Sequence, residues 1–201
     1  MRPPQLVLLD ACGVILNDPL PELLIALASA IDVPHAEVMR RYADLRLPFW
    51  TGRLGEIPFW ECLTGGVDAP GWASRLASSF RPGPAAPALG AWATRARLRV
   101  LSNHRSEWLV PRLMAMDLAR HFERVVVSDA IDAAKPSPEA FLRALSDAAV
   151  APGDVLFVDD KRVNVEAARS LGLEALHAKP GTGWVDAVSA RLGLAPLDAA
   201  G

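Results

Sequence analysis

Hydrophobic positions in this chain follow two rhythms. Residues 5–9 and 155–158 are short runs of buried-strand character, and each runs straight into acid: Asp10 after the first, Asp159 and Asp160 after the second. Runs of this length read as parallel strands covered on both faces, and in such sheets the ligand crevice lies at the carboxyl ends of the strands. These acids are therefore expected in one site, although most of the chain separates them. The other rhythm is helical. Apolar residues fall at three-and-four spacing over 21–31 and 35–45, with shorter helical pieces around 58–63 and 71–80, so from about residue 19 to about residue 81 the pattern is helical only. Regular alternation follows: helix 88–96, strand 99–101, helix 107–116, strand 125–128, helix 138–148, strand 155–158, helix 163–171, strand 174–177 and helix 183–192. Strands alternating with helices predict an α/β fold with a doubly wound parallel sheet. Ser137 before Pro138 reads as a helix start, the hydroxyl as cap and Pro at the first helical position.

A helical insertion directly after the first strand places a lid over Asp10, and the stretch Arg81-Pro-Gly-Pro-Ala-Ala-Pro reads as the hinge back to the sheet. The expected organisation is an α/β core domain of residues 1–16 and 85–201, interrupted by a helical cap subdomain of residues 17–84. A chain of 201 residues suffices for one solid core with such an elaboration, not for two independent domains. There is no internal repeat and no low-complexity segment.

Charge narrows the partners. Lys and Arg number 21 against 23 Asp and Glu, for a formal net charge of -2, and the Arg residues are scattered among acids. That surface offers nothing to nucleic acid. No apolar run approaches a membrane span, and the N-terminus lacks the features of a signal peptide. Cys12 and Cys62 are too few for a disulfide framework, so a reducing cytoplasm is the expected location.

Carboxylates collected in one crevice repel one another and persist when a divalent cation and an anionic ligand balance them, which predicts Mg2+ and a phosphate. Four elements recur at strand ends: Asp10 in Leu-Leu-Asp-Ala-Cys-Gly-Val, Ser102 in Val-Leu-Ser-Asn, Lys135 in Ala-Ala-Lys-Pro-Ser-Pro, and the Asp159-Asp160 pair in Phe-Val-Asp-Asp. With these in order around a helical insertion, nearly the whole chain resembles the haloacid dehalogenase (HAD) superfamily. The Val-Leu-Ser-Asn, Lys-Pro-x-Pro and Phe-Val-Asp-Asp-x-x-x-Asn segments are most similar to its sugar-phosphate phosphatase branch and to the phosphatase domain of soluble epoxide hydrolases. The resemblance implies a magnesium-dependent hydrolase of a small phosphorylated metabolite, such as a sugar phosphate. In it Asp10 is the nucleophile, forming an aspartyl phosphate, and also a metal ligand. Ser102 donates its hydroxyl to a phosphoryl oxygen, Asn103 orients the substrate, and Lys135 neutralises both Asp10 and the phosphoryl group. The implied metal set is Asp10, Cys12, Asp159 and Asp160, with Asp160 on the ion and Asp159 beside it. Asn164 falls where many relatives have a second acid and is expected to hold a metal-bound water. Gly13 lets the chain leave the strand sharply.

The pattern breaks at Cys12. Most phosphatases of the family carry a second Asp two residues after the nucleophile, which protonates the leaving alcohol and then activates water. A thiol, with a reference pKa of about 8.5, replaces it poorly. Loss of general acid-base help, typically worth a factor of roughly 100 to 10,000, slows turnover without abolishing binding. Two alternatives remain open: carbon–halogen cleavage by the same Asp10, or a catalytically impaired protein that keeps the pocket for binding. Phosphonate cleavage is disfavoured because Lys occurs only at 135, 161 and 179, outside the cap. The aromatic pairs Phe49-Trp50 and Phe59-Trp60, placed on a loop and a short helix, are expected to form the cap's own core, with an apolar wall selecting the leaving group as the alternative. Arg46 and Arg53 are expected on the surface, His104 in an exposed loop, and Gly181-Thr182-Gly183 in a turn before the last helix.

Overall fold

Five apolar segments pair into one parallel sheet. They are β1 (Leu6–Leu9), β2 (Arg97–Ser102), β3 (Arg124–Val127), β4 (Val155–Asp159) and β5 (Glu174–His177), in the spatial order β3-β2-β1-β4-β5. The structure, a computed structural model, describes residues 2–196. From β1 the chain builds outward through β2 and β3 on one side, then crosses back to build β4 and β5 on the other. The switch point therefore falls between β1 and β4, where an open α/β sheet offers its crevice. Register completes the arrangement: Leu9 lies opposite Val158, and the Asp10 amide donates to the Val158 carbonyl at 2.9 Å, so Asp10 follows β1 beside Asp159 at the end of β4.

Successive side chains of a strand point to opposite faces, which is why β1 is apolar throughout. Leu6 and Leu8 pack with Phe141 and Phe157 on one face, Val7 and Leu9 with Leu98, Trp92 and Val188 on the other. Between β1 and β2 the chain forms α1 (Leu20–Ala30), α2 (His35–Trp50), α3 (Glu56–Thr64) and α4 (Ala69–Ser79), and then the short α5 (Leu89–Ala93) that leads into β2. The remainder are α6 (Ser106–Ala115), α7 (Ser128–Ile131), α8 (Pro138–Leu145), α9 (Arg162–Ser170) and α10 (Gly183–Arg191). The chain leaving β1 and the chain returning to β2 are laced together. Asn17 Nδ2 donates to the Ser79 carbonyl (3.1 Å) and its Oδ1 accepts from the Arg81 amide (2.7 Å), while the Gly83 amide donates to the Ile15 carbonyl (2.7 Å). Gly83 is required there, since a Cβ would lie 2.8 Å from the Leu16 backbone.

Several local expectations are corrected. Helix α2 continues to Trp50 through Pro48, so Phe49 and Trp50 are helical rather than in a loop. Tertiary packing overrides the proline: Phe49 stacks on Phe59 at 4.1 Å and meets Trp108 at 4.7 Å. The Ser137 hydroxyl does not cap α8. Helix α8 ends at Leu145, short of residue 148, and the single turn α7 has no counterpart in the periodicity. Strand β2 reaches back to Arg97, two residues before the expected start. Buried Arg99 is accepted there because its guanidinium pairs with Glu123 and Asp147 and donates to the Ala144 carbonyl.

Candidate active site

Lys135 sits at the centre of the crevice, in the loop between α7 and α8. Its ammonium lies 2.9 Å from Asp10 Oδ1 and 2.7 Å from Asp159 Oδ2, with only 1% of its side chain exposed. Asn103, just past β2, holds that loop by reading its backbone from both sides: Nδ2 donates to the Lys135 carbonyl and Oδ1 accepts from the Lys135 amide, each at 2.7 Å. Asp159 is fully buried and both its oxygens are engaged. Beyond Lys135 it accepts from the Lys161 amide (2.7 Å) and from Asn164 Nδ2 (3.0 and 3.1 Å). Asp160 differs. Its Oδ2 accepts from Lys161 Nζ at 2.7 Å, while its buried Oδ1 has no partner among the described residues. Gly13, at φ +80°, passes so close that a Cβ would lie 2.8 Å from the Asp160 carboxyl. Glycine is needed at that position for both backbone angle and space.

Burial pushes the Asp10 carboxyl up to about 8, against the pull of Lys135 and with the help of Asp159 and Asp160. Burial drags the Lys135 ammonium down, but Asp10 and Asp159 outweigh it and leave it above its ordinary value, so it stays charged. The cluster is thus short of positive charge. Carboxylate oxygens of Asp10, Asp159 and Asp160 lie within 4.8 Å of one another. Hard oxygen donors so grouped, one of them an unpartnered buried oxygen, fit a cation such as Mg2+, with Asp10 and Asp160 the available ligands and Asp159 already committed to Lys135 and Asn164. The Cys12 thiol is driven well up by burial, then by Asp18, Asp10 and Asp160. A neutral sulfur does not suit a hard cation, so the thiol expected in the metal set is not among the donors the cluster offers.

A cavity of about 330 Å³ opens from this cluster, and Cys12, Ser102, Asn103 and Asn164 line it with the charged groups. One stripe of α2 runs along it, His35, Met39, Tyr42, Arg46, Phe49 and Trp50, at the spacing that keeps side chains on a single helical face. Leu20, Pro21, Leu24 and Ile25 add the matching face of α1, Phe59 comes from α3 and Trp108 from α6.

The family model described as haloacid dehalogenase-like hydrolase matches residues 92–178. A phosphoserine phosphatase of Thermus thermophilus is 32% identical over 150 residues, 70% of this chain and 57% of that enzyme. Phosphoglycolate phosphatase of Escherichia coli K12 is 29% identical over 91 residues, 45% of this chain and 36% of that enzyme. The chain belongs to the haloacid dehalogenase-like hydrolases. Its matches span only about a third to somewhat over half of these relatives' own length. Among solved structures, a predicted HAD-like hydrolase of Porphyromonas gingivalis is 25% identical with a TM-score of 0.71, covering 94% of this chain and 97% of that one. A Bacteroides thetaiotaomicron HAD family enzyme in complex with magnesium and inorganic phosphate is 21% identical with a TM-score of 0.71, covering 89% and 95%. The L-2-haloacid dehalogenase of Xanthobacter autotrophicus is 21% identical with a TM-score of 0.63, covering 88% and 77%. Likeness to the last two is one of fold.

In this HAD-like hydrolase the structure brings Asp10, Cys12, Ser102, Asn103, Lys135, Asp159 and Asp160 to one place. One placement differs from expectation. His104 is not an exposed loop residue: it is 8% exposed, its ring set edge-on against Phe80 (5.9 Å) and Trp108 (5.1 Å), and burial pulls its pKa down to about 4, so it is neutral near pH 7. Arg46, an exposed residue as expected, also lines the cavity rim with its guanidinium 5.6 Å from the Trp50 ring centre. Arg53 is a surface residue paired with Asp132 at 2.9 Å. Of the aromatic pairs Phe49, Phe59 and Trp60 are buried core, as expected, while Trp50 is half-buried and lines the cavity. Trp108 went unsingled in the sequence because nothing local marks it. The α2 stripe was partly visible, but its apolar members read equally well as packing.

Proposed function

We propose that this chain is a magnesium-dependent hydrolase of a small phosphorylated metabolite, with Asp10 as nucleophile. The observation that carries this reading is Lys135 Nζ held between Asp10 and Asp159 in a buried crevice, beside the unpartnered Asp160 oxygen. An Asp10 oxygen attacks phosphorus, the bond from phosphorus to the alcohol oxygen breaks, and an aspartyl phosphate forms. Water then attacks that phosphorus, releasing inorganic phosphate and restoring Asp10. Lys135 neutralises charge on Asp10 and on the phosphoryl oxygens, and Ser102 donates its hydroxyl to one of them. Asn103 fixes the Lys135 loop, and Asp159, held by Asn164, aims the ammonium. A magnesium ion on Asp10 and Asp160 would supply the missing positive charge and polarise the phosphoryl group. Among the described residues no helix is long and apolar enough to cross a membrane, and Cys12 and Cys62 are both free thiols.

The test is release of inorganic phosphate from a panel of phosphate monoesters with magnesium and with a chelator, using 2-haloacids as the control set. Release that depends on magnesium supports the reading. Halide release that survives chelation replaces it with carbon–halogen cleavage. Inactivity towards every ester, alongside measurable ester binding, replaces it with a binding role.

Cys12 lines the cavity two residues after the nucleophile, and its neutral thiol neither protonates the departing alcohol well nor activates water. Cys12→Asp is expected to raise phosphatase turnover, by up to about 100-fold where the new carboxyl reaches the leaving oxygen. Steady-state kcat on one ester checks it, and an unchanged rate in a folded variant means that the pocket works without this acid.

A further inference from the structure

If phosphorus sits against Asp10, the group it is attached to must occupy the cavity that starts there, and the part of its wall contributed by α1 and α2 is mainly apolar. Along the α2 face Met39, Tyr42 and Trp50 follow one another on the open side, and Phe49, Phe59 and Trp108, 1%, 0% and 4% exposed, back them from behind. The rings support each other: Phe49 stacks on Phe59, and Tyr42 stands edge-on to both Trp50 and Phe59 at 6.4 Å. Away from the carboxylate cluster the polar side chains are few. Asp18 and Lys161 stand on the cluster side, Arg46 and His35 at the exposed rim, Tyr42 carries a hydroxyl, and His104 is buried and neutral. Met39 and Ile25, both on the cavity, are 40% and 54% exposed, apolar surface that a ligand would cover.

A polyol in this space would trade the water on most of its hydroxyls for contacts that offer no hydrogen bond, a penalty that a flat apolar group does not meet. A volume of about 330 Å³ is also more than a two- or three-carbon leaving group fills, and falls in the ~300–1,000 Å³ range of pockets that enclose larger organic ligands.

We propose that the substrate is a phosphate monoester whose organic part is apolar and of aromatic-ring size, rather than a polyhydroxylated sugar, and that this part lies against Trp50 and Met39. The inference deepens the phosphatase reading above and rests on it for the position of the phosphorus.

Binding and turnover are measured apart. The Asp10→Asn protein with magnesium is titrated calorimetrically with 2-phenylethyl phosphate and with glucose 6-phosphate, two esters of primary alcohols whose common phosphate contribution cancels in the ratio. The phenylethyl ester is expected to bind at least about tenfold tighter. In the same background Trp50→Ala and Met39→Ala are each expected to shrink that ratio about threefold or more, the second residue being exposed enough for the fold to tolerate its loss. Equal or tighter binding of the glucose ester, no binding of either, or a ratio that neither substitution moves overturns the proposal. A ratio that holds while the wild-type protein releases phosphate from neither ester supports the pocket assignment and removes the hydrolase reading. Phosphate release with an inverted ratio does the opposite.

Discussion

Asp10→Asn is expected to lower magnesium-dependent phosphate release by on the order of 10⁴-fold or more, because the substitution removes the atom that forms the covalent bond to phosphorus. Shape is almost unchanged, and Lys135 keeps its 2.7 Å contact with Asp159, so the crevice should persist. The loss should therefore fall in kcat, with ester binding retained and no burst of phosphorylated protein on rapid mixing. Activity at the wild-type level would take Asp10 out of the nucleophile's role and leave the lysine-bridged acids as a structural ion network.

Lys135→Met should damage stability as well as rate. The ammonium is the main charge facing two buried carboxylates, Asp159 at 0% exposure and Asp10 at 8%. Removing one partner of a buried pair leaves an uncompensated charge and typically costs about 3–5 kcal/mol, whereas replacing both partners is far cheaper. Urea denaturation should show a loss of that order in Lys135→Met, and the double variant with Asp159→Asn should regain about 1 kcal/mol or more while remaining inactive. In Lys135→Met, Asp159 keeps its other donors, Asn164 and the Lys161 amide, but loses its only cationic partner. If Lys135→Met unfolds at the wild-type urea concentration, the ammonium does not balance these acids and its catalytic assignment goes with it.

These two substitutions separate groups that the pattern of the chain alone could only place together. Asp159 and Asp160 are adjacent acids of one motif and enter the same metal set on resemblance. In the fold they diverge because strand geometry sends neighbouring side chains to different surroundings. Asp159 ends β4 facing Lys135 and Asn164, while Asp160 turns towards Gly13 and keeps one oxygen unpartnered. Asn103 illustrates the same point: its type and position in Val-Leu-Ser-Asn read as substrate orientation, and in the fold its amide also grips the Lys135 backbone from both sides while lining the cavity.

The strands, their parallel pairing and the convergence of Asp10 with the Asp159-Asp160 pair were legible from the amino-acid order, and Lys135 joined them through the resemblance of its motif. Apolar runs of strand length are local signals, and the rule that puts a site at the carboxyl ends of parallel strands needs no coordinates. Helix α2 beyond residue 45, burial of His104 and the aromatic cavity were not legible. Each depends on which faces of α1, α2, α3 and α6 meet, and an apolar stripe carries the same periodicity whether it packs into a core or lines a space. Only the assembled packing, with Phe49 stacked on Phe59 against Trp108, distinguishes the filled side of that stripe from the open one, because contact between distant segments is a property of the fold and not of any window of the chain.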